Sequence, residues 1–102
     1  MRVIAVLVLI ELKDEEAARG FDALAKDTVA AVQALEPETL IYAVHKVEDS
    51  PLSRVFYEVY ASPDAQGHHE SAVHMKHAFD EVGQYVESAQ VRSLGEPVGK
   101  LG

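Results

Sequence analysis

The chain begins with an uninterrupted apolar run, VIAVLVLI at residues 3–10, which ends at Glu11 and the charged residues that follow it. A short run of β-branched and aliphatic side chains with a polar boundary is typical of a strand buried on both faces. The run is much shorter than the roughly 20 apolar residues that span a bilayer, and no small-residue cleavage site follows it. We therefore interpret it as a first strand and not as a signal peptide or a membrane span.

The next segment has the periodicity of a long amphipathic helix. From residue 14 to about residue 35, apolar side chains recur every three or four positions, with charged side chains between them. Asp14 suits the N-cap, acidic residues occupy the first turn, and Pro37 lies just beyond the predicted end.

A hairpin follows the helix. Residues 39–47 are rich in Ile, Tyr and Val, residues 48–53 form a polar stretch that contains Pro51, and residues 54–61 alternate between two faces. These patterns predict a second strand, a turn and a third strand.

The last third of the chain predicts an interrupted helix and a final strand. Residues 62–64, Ser-Pro-Asp, resemble a helix cap and first turn, and Gly67 is expected to interrupt the helical run. A second helix is then predicted from Ser71 to about residue 86, and a last strand at residues 90–95. A loose tail is predicted over residues 96–102, as indicated by Gly95, Pro97, Gly99 and Gly102.

The predicted order is strand, helix, strand, strand, helix, strand, which is the βαββαβ pattern of an α+β, ferredoxin-like fold with an antiparallel sheet. Both helices of such a fold cover one face of the sheet, so the other face is normally polar. Here both faces are apolar: the second and third strands alternate between the set Leu40, Tyr42, Val44, Phe56 and Tyr60 and the set Ile41, Ala43, Val55, Tyr57 and Val59. Because an open apolar face of this size is unusual for a soluble monomer, we expect a homodimer in which a second copy covers it.

Composition narrows the possible partners. The 102 residues suit a single domain with its core at about residues 3–95, and the formal net charge of −8 disfavours nucleic acid and anionic membranes. The chain has no cysteine, which excludes disulfides and thiolate chemistry and agrees with a reducing cytoplasm.

Histidines are the most informative polar feature. His68, His69, His74 and His77 lie close together in the sequence, and His45 lies in the second predicted strand. Each histidine could be structural, could bind a metal, or could transfer protons near neutral pH. Because the spacing fits no strong metal template and no cysteine is present, we predict no metal site.

Glu58 is unusual because its predicted face is otherwise aromatic. A carboxylate there is either paired or lines a pocket, and Arg54, four positions away on the same face, favours an Arg54–Glu58 ion pair. Tyr42, Tyr60 and His45 could line the same cavity or simply pack.

Several segments taken together resemble the antibiotic biosynthesis monooxygenase family of dimeric α/β barrels. They are LIYAVH at residues 40–45, the Pro51 turn, VFYEVY at residues 55–60, the Asp64-Ala65 pair, and the spacing His69-x4-His74-x4-Phe79. The resemblance runs from residue 3 to about residue 95.

The resemblance implies a homodimer whose sheets face each other, with a small apolar pocket in each protomer. Characterised relatives oxygenate quinols or polyketide phenols with molecular oxygen and without a bound cofactor, while others degrade haem or rearrange small carbonyl compounds. A base removes a proton from an electron-rich phenol, and the anion then reduces oxygen. Relatives with these two activities use Trp and Asn in the pocket, and this chain has neither residue. The difference argues against haem degradation and against the polyketide type of mechanism.

The resemblance also implies roles for individual residues. His74 is the first choice for proton transfer and His69 for hydrogen bonding to the substrate. The remaining substrate-binding residues implied are Tyr42, Glu58, Tyr60, His77 and Phe79. We expect a cofactor-independent monooxygenase for a small aromatic or quinol-type substrate, with no cofactor. The alternative is a non-catalytic dimeric barrel that binds a small hydrophobic ligand or serves in a stress response.

Overall fold

The structure, a computed structural model, describes residues 2–100 and has the predicted α+β arrangement. In chain order its elements are β1 (Ile4–Leu12), α1 (Glu15–Leu35), β2 (Thr39–Val47), β3 (Ser50–Tyr60), α2 (Pro63–Ser71), α3 (Val73–Val82) and β4 (Val86–Leu94). The strands form one antiparallel sheet in the order β2-β3-β1-β4. This is the ferredoxin-like fold that the element order predicts.

Helix α1 begins where the sequence predicts, because Asp14 caps it. The Asp14 side chain accepts a hydrogen bond from the backbone N–H of Ala17 at 2.8 Å, and this satisfies one of the free donors of the first turn. The periodic apolar positions face inward, where Phe21 and Val32 are almost completely buried. Phe21 packs in the same cluster as Phe56 of the sheet, whereas Val32, nearer the end of the helix, packs with Met75 and Ala78 of α3.

The hairpin turn is tighter than the polar composition of residues 48–53 predicts. Strand β3 already begins at Ser50, and the turn is confined to Glu48 and Asp49, with Asp49 at a φ of 62°. Asp is one of the few residues other than Gly that tolerate this left-handed conformation, so a short turn is possible without glycine.

The interruption of the second helical segment lies at Ala72 and not at Gly67, so the prediction was wrong at this point. Ser62 caps α2 by accepting from the N–H of Ala65 at 3.1 Å, and the helix continues through Gly67. A helical glycine costs only about 1 kcal/mol relative to alanine, which a single capped helix can tolerate. The extended backbone of Ala72 (φ −65°, ψ 145°) separates α2 from α3 instead.

The last strand also begins earlier than predicted. Helix α3 ends at Val82, and β4 pairs with β1 from Val86 onward, where Leu12 is the partner across an irregular register. The backbone of β1 offers hydrogen bonds to residues 86–89, although the side chains there do not have a strong strand pattern.

Cross-strand register divides the sheet into the two faces that alternation predicts. Tyr42 and Val6 both lie opposite Glu58, and Val44 and Val8 both lie opposite Phe56, so these residues share the face that carries the helices. The other face carries Leu7, Leu9, Ile41, Val55, Tyr57, Val59 and Leu94. No helix within residues 2–100 is long and apolar enough to cross a membrane.

Candidate functional site

A cavity of about 540 Å³ lies between the helix-bearing face of the sheet and the helices. Most of its wall is apolar, and side chains of all four strands and all three helices contribute to it. The apolar members include Val6, Val8, Ile10, Phe21, Leu24, Phe56, Met75, Phe79, Val82, Val86 and Val91. Near α3 and β4 the wall is accessible to solvent, because Phe79 and Val91 are 54% and 66% exposed.

Four polar side chains meet at one end of this cavity: Tyr42, Glu58, Tyr60 and His69. Pairing of β2 with β3 sets Tyr42 opposite Glu58, and the two-residue period of a strand brings Tyr60 to the same face. The Tyr60 hydroxyl donates to Oε1 of Glu58 at 2.5 Å. His69, on α2, is almost fully buried, and its ring lies 5.0 Å from that of Tyr42 and 5.2 Å from that of Tyr60.

Burial controls the protonation of this cluster. Removal from water raises the pKa of Glu58, although the hydrogen bond from Tyr60 acts in the opposite direction. Burial also raises the pKa of Tyr60 and that of Tyr42, and the neighbouring Glu58 adds to both effects. Both tyrosines are therefore neutral hydrogen-bonding groups near neutral pH.

The predicted ion pair between Arg54 and Glu58 is absent from the structure of residues 2–100. Arg54 instead binds Asp22 of α1, with Nε donating to Oδ1 at 2.8 Å and Nη2 donating to Oδ2 at 3.0 Å. Its Nη1 donates to the backbone carbonyls of Pro51 and Ser53. The prediction was wrong because the helix that packs on the sheet supplies a carboxylate with the bidentate geometry that a guanidinium prefers.

Glu36, the residue that ends α1, connects two of the histidines. His69 Nδ1 lies 2.7 Å from its Oε1, and His74 Nε2 forms a hydrogen bond with its Oε2. Thr39, the first residue of β2, donates from Oγ1 to Oε1 at 2.7 Å. The end of α1, the start of β2, the last turn of α2 and the first turn of α3 thus meet at one carboxylate, whose side chain is only 7% exposed.

The protonation state of Glu36 determines the tautomer of His69. Burial would raise the pKa of Glu36, but the hydrogen bonds from Thr39, His74 and His69 outweigh it and hold the pKa below its usual range. An ionised carboxylate only accepts, so Nδ1 of His69 carries the proton and donates it. In the neutral imidazole the free lone pair is then on Nε2.

His69 Nε2 is open to the cavity. It has no hydrogen-bond partner among residues 2–100, and because no fully buried side-chain nitrogen or oxygen of these residues lacks a partner, this atom is not fully buried. His69 belongs to the lining of the large cavity, which is the space that Nε2 can reach. A ligand hydroxyl in the cavity can therefore approach the basic nitrogen of a histidine whose other nitrogen is held by a carboxylate.

The structure brings together most, but not all, of the residues that the sequence singles out. Tyr42, Glu58, Tyr60, His69 and Phe79 line the large cavity. The other two predicted residues do not belong to that lining: His74 contacts Glu36 and lines a second, smaller cavity of about 250 Å³, and His77 is exposed on α3. Residues 2–100 contain no group of three or more His, Asp or Glu arranged to hold a metal ion.

Glu36 is the residue that sequence reasoning missed. A signal for it was present, because an acidic side chain at the C-terminal end of a helix is unfavourable with respect to the helix dipole and calls for donors or cations nearby. The histidine cluster contains such donors, but only the packing of α2 and α3 against the end of α1 brings them within reach.

Solved structures share this fold over nearly the whole chain, which confirms the expected resemblance at the level of the fold. A protein of Caulobacter crescentus CB15, provisionally named an antibiotic biosynthesis monooxygenase, has 25% sequence identity and a TM-score of 0.88, covering 96% of this chain and 92% of its own. A protein of Bacteroides thetaiotaomicron VPI-5482 with the same provisional name has 20% identity and a TM-score of 0.90, covering 99% and 95%.

A provisionally named monooxygenase of Lactobacillus acidophilus NCFM has 28% identity and a TM-score of 0.85, and the match covers 90% of this chain but 43% of that longer protein. No family model and no curated protein matches the sequence.

Proposed function

We propose that this protein is a cofactor-independent monooxygenase that oxygenates a small, neutral phenol or quinol with molecular oxygen. The observation that carries the proposal is the position of His69, which lines the large cavity and is held at Nδ1 by Glu36. The names of the structural neighbours that have the same fold support the same class of reaction.

His69 has the features of a general base. Its Nδ1–H donates to Glu36 at 2.7 Å, which orients the ring and stabilises the imidazolium that forms when Nε2 takes a proton. The rings of Tyr42 and Tyr60 also contact the imidazole, so two aromatic neighbours constrain its orientation. Location therefore favours His69 over His74 for direct contact with the substrate.

The polarity of the cavity favours a neutral ligand. The charged or chargeable side chains in its lining are Glu58, His69 and Glu70, and no Lys or Arg of the described chain belongs to it. A carboxylated or phosphorylated compound would enter an acidic, cation-free space, which is unfavourable. A ligand with an apolar ring system and a hydroxyl directed at the polar end matches both parts of the wall.

The reaction balances without a cofactor. His69 Nε2 removes the proton of a ring hydroxyl, and the electron-rich anion passes an electron to O2 far more readily than the neutral phenol does. The resulting radical pair combines to form a C–O bond, and the O–O bond then breaks. Overall a quinol and O2 become a hydroxyquinone and water: the ring gives up four electrons, one oxygen atom enters the ring, and the other leaves as water.

The functional unit that we propose is a homodimer joined through the face of the sheet that carries no helix. Leu9 and Leu94 on that face are 37% and 43% exposed, and Leu7 and Tyr57 are half-buried beside them. An identical sheet would cover these side chains by the packing that two antiparallel sheets commonly adopt. An obligate interface of this kind buries on the order of 2,000 Å² or more in total.

Oxygen consumption with a panel of hydroquinones, naphthols and anthrones, each corrected for autoxidation, tests the catalytic proposal. We expect turnover without flavin, nicotinamide or added metal, and a loss of about 10²- to 10⁴-fold in kcat/KM for His69→Ala. Added imidazole should restore part of the rate of His69→Ala. The control variant His68→Ala, which changes the exposed neighbouring histidine, should keep the wild-type rate. Equal rates in wild type and His69→Ala would overturn the role of His69, and no rate above background on any compound would favour the non-catalytic ligand-binding barrel.

Sedimentation velocity at micromolar concentration tests the dimer. We expect a dimer for the wild type and a shift toward folded monomer for Leu7→Asp, because that charge would enter only the interface. Val6→Asp, one residue earlier, faces the helices and should instead unfold the protein, since it buries an unpaired charge in the core. A wild-type protein that sediments as a single monomer would contradict the proposal.

A further inference from the structure

The two histidines that share Glu36 open to different spaces. His69 lines the large cavity, whereas His74 lines the smaller cavity together with Pro37, Glu38 and His68. Their side chains are 4% and 17% exposed, and the carboxylate between them is 7% exposed. Glu36 is thus a buried charge with one histidine on each side, and each histidine faces a separate compartment.

One carboxylate can neutralise only one imidazolium. If His74 is protonated, its charge compensates Glu36, and a second proton on His69 would bring two cations to one anion in a poorly solvated site. If His74 is neutral, the whole negative charge of Glu36 is available to stabilise a protonated His69. The two histidines therefore bind protons as a coupled pair.

We propose that His74 controls the proton affinity of His69 through Glu36, so that a proton taken up from the large cavity is matched by a proton released to the smaller one. In the resting state of this proposal Glu36 is ionised and the proton is on His74, because its side chain is the better solvated of the two (17% exposed against 4%), while His69 is neutral. When a ligand proton binds Nε2 of His69, His74 loses its Nδ1 proton to the smaller cavity. The three side chains have zero net charge before and after, and no proton has to pass along the carboxylate.

Other titratable groups face this pair. On the side of His69 they are Glu58 and Tyr60 of β3, Tyr42 of β2 and the adjacent Glu70 of α2.

On the side of His74 they are Glu38 and His68. None of these groups has a hydrogen bond to either imidazole in the described chain, whereas Glu36 has one to each. Glu36 is therefore the route of the coupling.

The role of His74 in turnover rests on the proposed function, but the coupling can be measured without any activity. The measurement is an NMR pH titration of the imidazole Cε1 signals in wild type, His74→Gln and Glu36→Gln, with circular dichroism to verify folding. In His74→Gln the competing charge is gone, so the midpoint of His69 should rise by about one pH unit, a tenfold gain in proton affinity. In Glu36→Gln the negative charge that stabilises protonated His69 is gone, so the midpoint of His69 should fall by a similar amount.

These opposite shifts distinguish coupling from a merely structural contact. A structural contact would shift the His69 midpoint in the same direction in both variants, or would not shift it at all. If His74→Gln fails to fold, His74→Phe provides the same test with an uncharged ring. A His69 midpoint that His74 replacement leaves unchanged would overturn the inference.

The acid limb of kcat/KM against pH separates this inference from the proposed function. It should move to higher pH in His74→Gln and to lower pH in Glu36→Gln. Opposite NMR shifts without oxygen consumption would sustain the coupling and overturn the monooxygenase. Oxygen consumption that depends on His69, together with NMR midpoints of His69 that do not respond to His74→Gln, would sustain the monooxygenase and overturn the coupling.

Discussion

Helix α1 carries two carboxylates that bind residues of other elements. The partners of the two differ in whether they can gain or lose a proton near neutral pH. Asp22 binds Arg54 with two short hydrogen bonds, and Lys46 lies 3.8 Å away at the exposed edge. Glu36, at the end of the same helix, binds two histidines and Thr39.

The pKa of each carboxyl group lies below its usual value. For Asp22 the hydrogen bond from Arg54 is the main cause of the lower pKa. For Glu36 three hydrogen bonds overcome the effect of burial on the pKa.

The difference lies in what each partner can exchange. An arginine keeps its proton throughout the pH range in which the protein is folded, so the Asp22–Arg54 pair has a constant charge near neutral pH, where it contributes only to stability. A histidine can gain or lose a proton near neutral pH, so the Glu36 cluster can take part in proton transfer. Two similar carboxylates on one helix therefore have different roles, one in stability and one in proton transfer, because of the residue types that bind them.

The largest difference between the two carboxylates should be in activity. Glu36→Gln removes the charge that orients His69 and stabilises its imidazolium, so kcat/KM should fall by about 10²-fold or more. Asp22→Asn, the matched change at the other carboxylate, should stay within about twofold of the wild type, because Asp22 does not belong to the cavity lining. Initial rates with the best phenol of the oxygen-consumption panel measure both, and equal losses would contradict the distinction.

In stability at pH 7 the order should reverse. Asp22→Asn leaves the Arg54 guanidinium, whose side chain is 4% exposed, without its charged partner. We expect a loss of about 2–3 kcal/mol in the free energy of unfolding, below the usual range for a buried pair because Asp22 itself is partly exposed. Glu36→Gln keeps a hydrogen-bonding group of the same shape and should cost about 1 kcal/mol. Urea unfolding of both variants decides the order, and a larger loss for Glu36→Gln would reverse the comparison.

Acid should remove the two contributions in sequence. Because each folded pKa is lower than the unfolded one, each carboxylate stabilises the fold above its unfolded pKa and loses this contribution as the pH falls through the folded pKa. The loss should begin near the ordinary pKa of each side chain, 4.5 for Glu36 and 3.8 for Asp22. Unfolding free energies of wild type minus variant between pH 6 and pH 3, taken with the same two substitutions, provide the measurement. An Asp22 difference that begins to fall at a higher pH than the Glu36 difference would contradict the expected order.

The smallest effect should come from a third carboxylate, Glu58, which forms no ion pair within residues 2–100. Burial raises its folded pKa, so the folded state binds the proton more tightly and loses stability as the pH rises above 4.5, the ordinary pKa of the side chain. Glu58→Gln removes this cost and can still accept from the Tyr60 hydroxyl. We expect a gain of about 0.5 kcal/mol at pH 7 and none at pH 4. Thermal unfolding at the two pH values tests the sign, and a loss at pH 7 would indicate that the carboxylate is stabilised by an interaction other than the one with Tyr60.

Local patterns in the sequence were reliable where each residue decides its own environment. The N-cap at Asp14, the bounds of β2 and the two faces of the hairpin all follow from short-range preferences and the two-residue period of a strand. The fold class follows from the order of these elements. The break at Ala72 and the early start of β4 escaped the sequence because they depend on the packing of α3 and on pairing with β1.

The candidate site could be predicted only in part for the same reason. Alternation places Tyr42, Glu58 and Tyr60 on one face, and the histidine motif directs attention to His69 and His74. That His69 faces the large cavity while His74 faces the smaller one depends on the break between α2 and α3, which changes the direction of the chain between them.

What the sequence determined by itself is the set of elements, their order and the two apolar faces of the sheet, because these result from interactions between residues that are near one another in the chain. Only the tertiary structure decided which charges pair. Arg54 could reach Glu58 along its own strand, yet it binds Asp22, which is 32 positions away, and Glu36 meets histidines 33 and 38 positions further along the chain. Such pairs depend on the angle at which helices pack on a sheet, and no periodicity within one segment encodes that angle.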